Sequence, residues 1–181
     1  MKLFSAIVTE RLTLRLLPVE ALRETTKGNL DALATLVGCR FSEYWLDVAW
    51  LAEMRLEQLE TDPGYLPWSI RAVILRETND AVGYANFHAK PAPHAVFREA
   101  PNMAEIGYTV FEPYRRRGIA RETLSALLNF AGSNGADQAV LSIDPNNEAS
   151  LALAKSFGFV KIGSQIDEID GPEDVYLLPL N

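Results

Sequence analysis

Arg115-Arg116-Arg117-Gly118-Ile119-Ala120 is the stretch of this sequence that decides the fold. An extended apolar run over 104–111 precedes it and an amphipathic run over 121–131 follows it, which predicts a turn between a strand and a helix. A helix that begins at such a turn exposes unpaired backbone N–H groups at its positive end, where an anion is favoured. Gly118 permits close backbone approach, and the three arginines add charge for a polyanionic ligand.

The hexapeptide taken alone is a weak signal. Its Arg-x-x-Gly-x-Ala spacing is not the dinucleotide-binding Gly-x-Gly-x-x-Gly pattern, and it is not a P-loop because no Gly-Lys-Ser/Thr follows. Runs of like charge are more often solvated surface than ligand sites. The turn is therefore an anion-site hypothesis, and an exposed basic surface is its alternative.

Composition restricts the class of protein. A chain of 181 residues is most simply one domain over residues 1–181, and its 48% hydrophobic and 23% charged residues are typical of a globular protein with a sizeable core. The net charge of −7 should repel nucleic acid and anionic membranes as partners, so the local arginines favour a small polyanion. A nucleic-acid-binding role for these arginines is also disfavoured because no aromatic residues are interleaved with them.

The single cysteine, Cys39, excludes an internal disulfide and indicates a reducing compartment. We interpret it as a small buried residue rather than a nucleophile. No apolar run is long enough to span a bilayer, and the first residues lack a signal-peptide core, so we expect a cytoplasmic protein. No spacing of His, Cys, Asp or Glu predicts a metal site.

Hydrophobic periodicity predicts an α/β fold with a mixed sheet. The expected strands are 12–16, 69–75, 81–89, 105–110, 139–143, 159–165 and 175–178. The expected helices are 19–37 with an interruption at Gly28, then 42–61, 119–133, and 148–157 with Gly158 as its C-terminal cap. Turn residues predict a hairpin at 77–80 and a turn around Asp170-Gly171-Pro172.

The order of motifs makes the hexapeptide specific. A strand (105–110), the Arg-x-x-Gly-x-Ala turn, a helix, a strand, Asn147-Glu148-Ala149-Ser150, a helix and Phe157-Gly158-Phe159 follow one another. This order resembles the GNAT superfamily of acetyl-CoA-dependent N-acetyltransferases, and it looks closest to the branch of ribosomal-protein N-terminal acetyltransferases. The opening Thr9-Glu10-Arg11-Leu12-Thr13-Leu14-Arg15 also matches that branch. The resemblance implies a mostly antiparallel sheet of about seven strands flanked by helices, with acetyl-CoA as cosubstrate.

The resemblance also implies how coenzyme A is bound. Its pyrophosphate would lie on the turn formed by Arg115, Arg116, Arg117, Gly118, Ile119 and Ala120. Main-chain groups of Tyr108, Thr109 and Val110 would contact the pantetheine arm, and one N–H there would stabilise the oxyanion. Asn147 matches the family's helix-entry asparagine near the pantetheine arm; a plain helix cap is the alternative.

Two residues are candidates for proton transfer. Glu105 lies on the strand where several members of the superfamily place a basic glutamate, and its alternative is a solvent-facing strand residue. Many members carry a tyrosine acid seven residues after the asparagine, but this sequence has Ala154 there. Ser150 is the nearest replacement for holding or protonating the departing sulfur, and its alternative is a first-turn helix residue.

Several further side chains have weaker claims. His88 and His94 flank a proline-rich loop, and such residues are more often structural or solvated than in contact with substrate. Trp45 is expected in the core, whereas Trp50 and Trp68 are candidates for walls of an acceptor pocket.

The leading functional hypothesis is transfer of an acetyl group from acetyl-CoA to a primary amine by direct attack in a ternary complex. The acceptor is a protein N-terminus or a small amine, and the negative net charge slightly favours a cationic one. The alternative is an acyl-CoA-binding sensor without turnover, which Ala154 makes conceivable. The sequence leaves open the acceptor, the acyl chain length and the oligomeric state, a homodimer included.

Overall fold

The computed structural model of the protein describes residues 4–93, 102–167 and 171–180. Its strands are β1 (Ile7–Val8), β2 (Leu12–Leu16), β3 (Arg71–Leu75), β4 (Asp80–Phe87), β5 (Met103–Val110), β6 (Gln138–Ile143), β7 (Val160–Asp167) and β8 (Gly171–Pro179). Its α-helices are α1 (Val19–Thr26), α2 (Leu30–Val37), α3 (Ala49–Thr61), α4 (Ile119–Ser133) and α5 (Glu148–Phe157). The strands hydrogen-bond in the order β1-β2-β3-β4-β5-β6-β8-β7, which is a mixed and mostly antiparallel arrangement.

The backbone divides into two compact units. The first comprises the described residues up to Phe87 together with Tyr108–Ala126. The second comprises the described residues of His88–Gly107 and Leu127–Asn181. The expectation of a single acetyltransferase domain over 1–181 stays a prediction.

In the first unit, β1 to β4 are antiparallel, and the core lies between this sheet and helices α1 to α3. Trp45 is buried at the centre of the core, as expected, with its ring edge-on to Phe41 and Phe111. Its indole N–H donates to Thr25 Oγ1 at 3.2 Å, so the one polar atom of this large side chain is satisfied. The prediction that Trp45 lies in the core is therefore confirmed.

The helices of the first unit differ from the expected ones in one segment. The predicted interruption at Gly28 is confirmed, because Gly28 has a φ of 67° and Asn29 caps α2 by accepting from Ala32 N. The single helix predicted over 42–61 is wrong in its first part: a 3-10 helix over Glu43–Val48 precedes α3. Trp45 and Val48 are both buried, and a 3-10 turn aligns residues three apart on one face.

In the second unit, β5 pairs in parallel with β6 over only three residue pairs, Met103–Glu105 with Gln138–Val140. Strand β6 continues to Ile143 and is antiparallel to β8, which is in turn antiparallel to β7. Met103, Val140 and Val175 form one small hydrophobic cluster in this unit. The parallel pairing therefore stops at Glu105, although both strands run on.

Three details revise the expected fold. The described residues form eight strands rather than about seven, because the two-residue β1 is too short to show a period in the sequence. The predicted turn at 170–172 is wrong for Gly171 and Pro172, which begin β8, while Asp170 lies outside the described residues. Strand β6 pairs with β8 only from Asp174 onward, so Pro172 has a partner strand on one side only, where a missing N–H is tolerated.

Two other expectations can be compared with the described part of the chain. Cys39 follows α2 and is buried, and this burial raises the pKa of its thiol to about 11, as expected for a packed rather than a reactive cysteine. No helix within the described ranges is long and apolar enough to cross a membrane.

Candidate functional site

The turn between β5 and α4 has an unusual backbone. Arg116 and Gly118 both adopt left-handed conformations, with φ of 61° and 75°. Only a few per cent of non-glycine residues do so, and such strain concentrates at ligand-binding turns. Left-handed residues that alternate with right-handed ones make the N–H groups converge into a concave nest that suits an anion. The predicted anion turn therefore has two left-handed residues of the kind found in such nests, and anion binding there stays a prediction.

The arginines of this turn have different surroundings although all three are exposed. Arg115 Nε donates to the Val110 carbonyl at 2.9 Å, which ties the turn to the end of β5. The Arg117 guanidinium lies over the Tyr114 ring, 5.8 Å from its centre. Ile119, in contrast, is buried and anchors the start of α4. The turn thus combines an anchored helix start with exposed positive charge.

The end of β5 presents its peptide groups alternately to its two edges. A Cβ at Gly83 on β4 would lie 2.1 Å from the Thr109 carbonyl oxygen, so that carbonyl faces β4 at a distance only glycine allows. Phe111 N likewise donates to Val82 O on β4. Because peptide directions alternate along a strand, Tyr108 and Val110 direct their N–H groups to the opposite edge. Of the three residues predicted to make main-chain contacts, Tyr108 and Val110 are thus better placed than Thr109.

In the second unit, Glu105 is the centre of a polar cluster. Ser142 Oγ donates to Glu105 Oε1 at 2.6 Å, and His88 Nδ1 lies 3.3 Å from the same oxygen. Gln165 Nε2 lies 3.4 Å from Ser142 Oγ and donates to Glu173 at 3.2 Å. The Glu105 side chain is 14% exposed and that of His88 46%. Glu105 is therefore a held, half-buried carboxylate and not a solvent-facing strand residue.

The start of α5 shows ordinary capping chemistry. Asn147 Oδ1 accepts from Ser150 N at 3.1 Å, which satisfies one of the free N–H groups of the first turn. The structure therefore gives Asn147 the role of a helix cap. Ser150 is half-buried in the first turn of α5, and Ala154, one turn further on, is completely buried.

Reasoning from sequence assigned no role to the partners of Glu105. In the sequence His88 is a lone histidine and Ser142 carries no motif, because their proximity to Glu105 depends on strand register. The paired backbone of β5, in which His88 N donates to Glu105 O, brings His88 and Glu105 together. No local signal in the sequence encodes that register.

The other weaker candidates have separate outcomes. Trp68 is buried with its ring edge-on to Phe87 at 5.0 Å, so it packs in the first unit, and its part in an acceptor pocket stays a prediction. Trp50 is 47% exposed on α3. His94 lies outside the described residues.

Comparison with known proteins identifies the family. Residues 11–160 match the family model described as acetyltransferase (GNAT) domain. The chain is 32% identical over 89 residues to the uncharacterized N-acetyltransferase YoaA of Bacillus subtilis, covering 49% of this chain and 46% of that protein. It is 35% identical over 92 residues to an uncharacterized protein of Mycobacterium leprae, covering 49% of this chain and 22% of that one. The matched stretches thus span less than half the length of either curated relative.

Solved structures show the same fold at low identity. An acetyltransferase of Salmonella typhimurium that modifies the N-terminal serine of ribosomal protein L7/L12 has a TM-score of 0.64 at 20% identity, over 98% of this chain and 100% of that one. A microcin C7 self-immunity acetyltransferase, solved with acetyl-CoA and AMP, has a TM-score of 0.61 at 17% identity, over 94% and 93% of the two chains. The family match extends over most of the sequence and includes both the turn and Glu105, so the chain belongs to the GNAT acetyltransferase family, whose members are acyltransferases that use acetyl-CoA.

Proposed function

We propose that this protein transfers the acetyl group of acetyl-CoA to a primary amine. The observation that carries the proposal is the turn before α4, where left-handed Arg116 and Gly118 precede a 15-residue helix, a backbone that would direct N–H groups toward an anion. Such a turn is suited to bind the pyrophosphate of coenzyme A. Support comes from structural neighbours solved with coenzyme A or acetyl-CoA bound.

The backbone of the first unit supplies the other expected contacts. Peptide N–H groups of Tyr108 and Val110, which point away from β4, would bind the pantetheine arm and the thioester carbonyl. A donor already in place where negative charge develops on that carbonyl stabilises the transition state more than the ground state. The side chains at these positions would then matter little for binding.

Glu105 is proposed as the group that takes the proton from the attacking amine, directly or through a water molecule. Attack requires the neutral amine, and a carboxylate within reach can accept its proton as the new C–N bond forms. The hydrogen bond from the Ser142 hydroxyl and the nearby His88 imidazole hold the carboxylate in one orientation. Direct attack in a ternary complex needs no covalent acyl-enzyme, which agrees with the burial of the single cysteine.

The thiolate that leaves also needs a proton or a hydrogen bond. Ala154 occupies the position where many members of the family carry a tyrosine, and methyl groups donate nothing. Ser150 lies about one turn before Ala154 on the same helix, and we propose its hydroxyl as the donor to the departing sulfur. If no donor acts there, the alternative function of an acyl-CoA sensor is favoured.

The acceptor class is tested with a panel of amines and acetyl-CoA, with thiol release as the readout. The panel contains peptides with free N-termini, the same peptides with blocked N-termini, polyamines and amino acids. Release with free but not blocked peptides would identify a protein N-terminus, as in the Salmonella enzyme. Release with small amines alone would identify a small-molecule acceptor. Binding of acetyl-CoA by calorimetry without thiol release on any amine would contradict the enzyme and support the sensor.

A further inference from the structure

Arg11, at the start of β2, reaches the turn before α4 with its guanidinium group. Its Nη1 donates to the Arg117 carbonyl at 2.9 Å, and its Nε donates to Glu122 Oε2 at 2.7 Å. A Cβ built on Gly118 would lie 3.3 Å from Arg11 Nη2, so the guanidinium lies directly alongside the turn. One side chain thus connects the turn to the helix that follows it.

Glu122 is held in the position that anchors this arginine. Its Oε1 accepts from Arg11 N at 2.8 Å and from Thr9 Oγ1, while its own N–H donates to the Gly118 carbonyl at 3.1 Å within α4. Burial raises the pKa of this carboxyl, but the hydrogen bonds from Thr9 and Arg11 outweigh burial, and the net pKa lies below the ordinary value. Glu122 is therefore an ionised carboxylate that anchors Arg11, and its hydrogen bonds to Thr9, Arg11 and Gly118 lie within the first unit.

The geometry of a peptide group shows what this contact achieves. In a planar trans peptide the C=O and the N–H point in opposite directions. When Arg11 holds the Arg117 carbonyl on its own side, the N–H of Gly118 is directed to the other side, and it cannot rotate without breaking the charged hydrogen bond. Arg116, one residue before Arg117, is strained in its left-handed conformation, so the turn needs other contacts to keep its shape. The hydrogen bond from Arg11 is such a contact.

We propose that Arg11 is a positioning residue for pyrophosphate binding, acting through the Arg117–Gly118 peptide with Glu122 as its anchor; this inference rests on the proposed function. It assigns a role to the Thr9-x-Arg11 part of the N-terminal motif, whose purpose the sequence does not reveal. Arg11 need not touch coenzyme A itself. Its guanidinium fork makes two directed contacts at once, which a single ammonium group cannot reproduce.

Four variants test this role: Arg11→Lys, Arg11→Met, Glu122→Gln and the Arg11→Met/Glu122→Gln double variant. Arg76→Met is the matched control, because Arg76 Nη1 donates to the carbonyls of Thr9 and Glu10 at 3.1 and 2.9 Å in the neighbouring segment. Calorimetry with acetyl-CoA gives the Kd, and steady-state kinetics with a verified amine give KM and kcat. Thermal melting establishes that each variant is folded, and Arg11→Lys carries the test if Arg11→Met is not.

We expect Arg11→Met and Arg11→Lys both to raise the Kd and KM for acetyl-CoA about tenfold, as the loss of one charged hydrogen bond predicts, with kcat within twofold of wild type. Arg76→Met should leave the Kd unchanged. Glu122→Gln should weaken binding in the wild-type background but add nothing to Arg11→Met, because the anchor acts only through the arginine.

Three results would overturn the inference. A wild-type Kd in Arg11→Lys would show that only the positive charge matters and not the fork. A wild-type Kd in Arg11→Met, together with loss of binding in Gly118→Asp, would remove Arg11 but leave the proposed function intact. Absence of acetyl-CoA binding by the wild-type protein would instead contradict the proposed function, and this inference with it.

Discussion

The turn before α4 and the cluster around Glu105 are built in opposite ways. The turn offers peptide N–H groups, and its arginines partly hold the chain in shape. The cluster offers a side-chain carboxylate, held by Ser142 and by the nearby His88. A main-chain site tolerates changes in side chains but not in backbone conformation, whereas a side-chain site is sensitive to the loss of a single ionisable group. The two regions should therefore respond to different kinds of substitution.

The largest effect is expected for Gly118→Asp. A Cβ at this left-handed residue would lie 3.3 Å from Arg11 Nη2, so the new carboxylate would compete for Arg11, strain the turn and add negative charge near the phosphates. The Kd for acetyl-CoA should therefore rise more than about 100-fold, the equivalent of two charged hydrogen bonds. Calorimetry measures this directly. Gly118→Asn has nearly the same shape without the charge and should lose less.

Gly135→Asp is the control for Gly118→Asp. Gly135 also has a positive φ, 98°, and a Cβ there meets no atom within 4 Å. An aspartate at this position therefore introduces the same charge at a left-handed residue, but away from the turn before α4. Its Kd should stay at the wild-type value. An unchanged affinity for acetyl-CoA in Gly118→Asp would show that the coenzyme binds elsewhere. The turn before α4 would then not be the main-chain binding site.

The next effect is expected for Glu105→Gln, which keeps the shape of the side chain and removes its basic site. We expect kcat to fall about 10- to 100-fold near neutral pH, within the range of general base catalysis. The loss should shrink as the pH rises, because more of the amine is then already neutral. The Kd for acetyl-CoA should not change, in contrast to Gly118→Asp.

A pH profile of kcat/KM for wild type and Glu105→Gln checks this difference. Glu173→Gln is the matched control, since it removes the charge of a carboxylate that accepts from Gln165 Nε2 in the same cluster. Wild-type rates in Glu105→Gln over the whole pH range would assign the proton to water or to another group.

Ser150→Ala is expected to have a smaller effect. If its hydroxyl holds the departing sulfur, kcat should fall up to about tenfold with unchanged acetyl-CoA binding, as for loss of one hydrogen bond to a charged group. The helix cap should survive, because it uses Ser150 N and not the hydroxyl. A rate within twofold of wild type would eliminate the serine.

His88→Leu should lower kcat about threefold, because one contact that orients a catalytic group, while Ser142 still holds it, contributes little more than this. His88→Asn places an N–H donor near the position of Nδ1 and should recover most of the rate. Equal losses in the two variants would show that His88 does not orient Glu105. Steady-state rates with one amine suffice for this test.

The smallest effect concerns acid stability. The pKa of Glu122 is lowered in the folded protein, so its contribution to stability is present above the unfolded value of about 4.3 and is lost as the pH falls through the lower folded value. Urea unfolding between pH 7 and pH 3 should therefore show a steeper loss for wild type than for Glu122→Gln. The difference should stay below about 1 kcal/mol because Arg11, its partner, is nearly half exposed. Identical slopes would contradict an ionised anchor.

The two regions also differ in how far the sequence predicts them. Helices α4 and α5 begin and end at the expected residues, and the turn before α4 is where the arginine-glycine pattern indicates. These features depend on local signals such as helical period, Gly158 at the cap and Asn147 at the start.

The contacts around Glu105 depend instead on which strand residues lie opposite one another. His88 is 17 positions from Glu105 in the sequence and Ser142 is 37. A shift of one residue in register would direct the side chain to the other face, and no turn residue in the sequence specifies that register. Arg11 is a similar case, because its contact with Arg117 joins residues 106 positions apart.

The burial of Ala154 limits how this enzyme could change over evolutionary time. Its methyl group is fully enclosed on α5. A tyrosine introduced there would have to displace packed neighbours, and overpacking of this kind costs about 1–3 kcal/mol or more. The family's tyrosine acid therefore cannot return by one substitution alone. It would need prior changes that open space around α5, so descendants of this chain are expected to refine whichever donor now serves the sulfur.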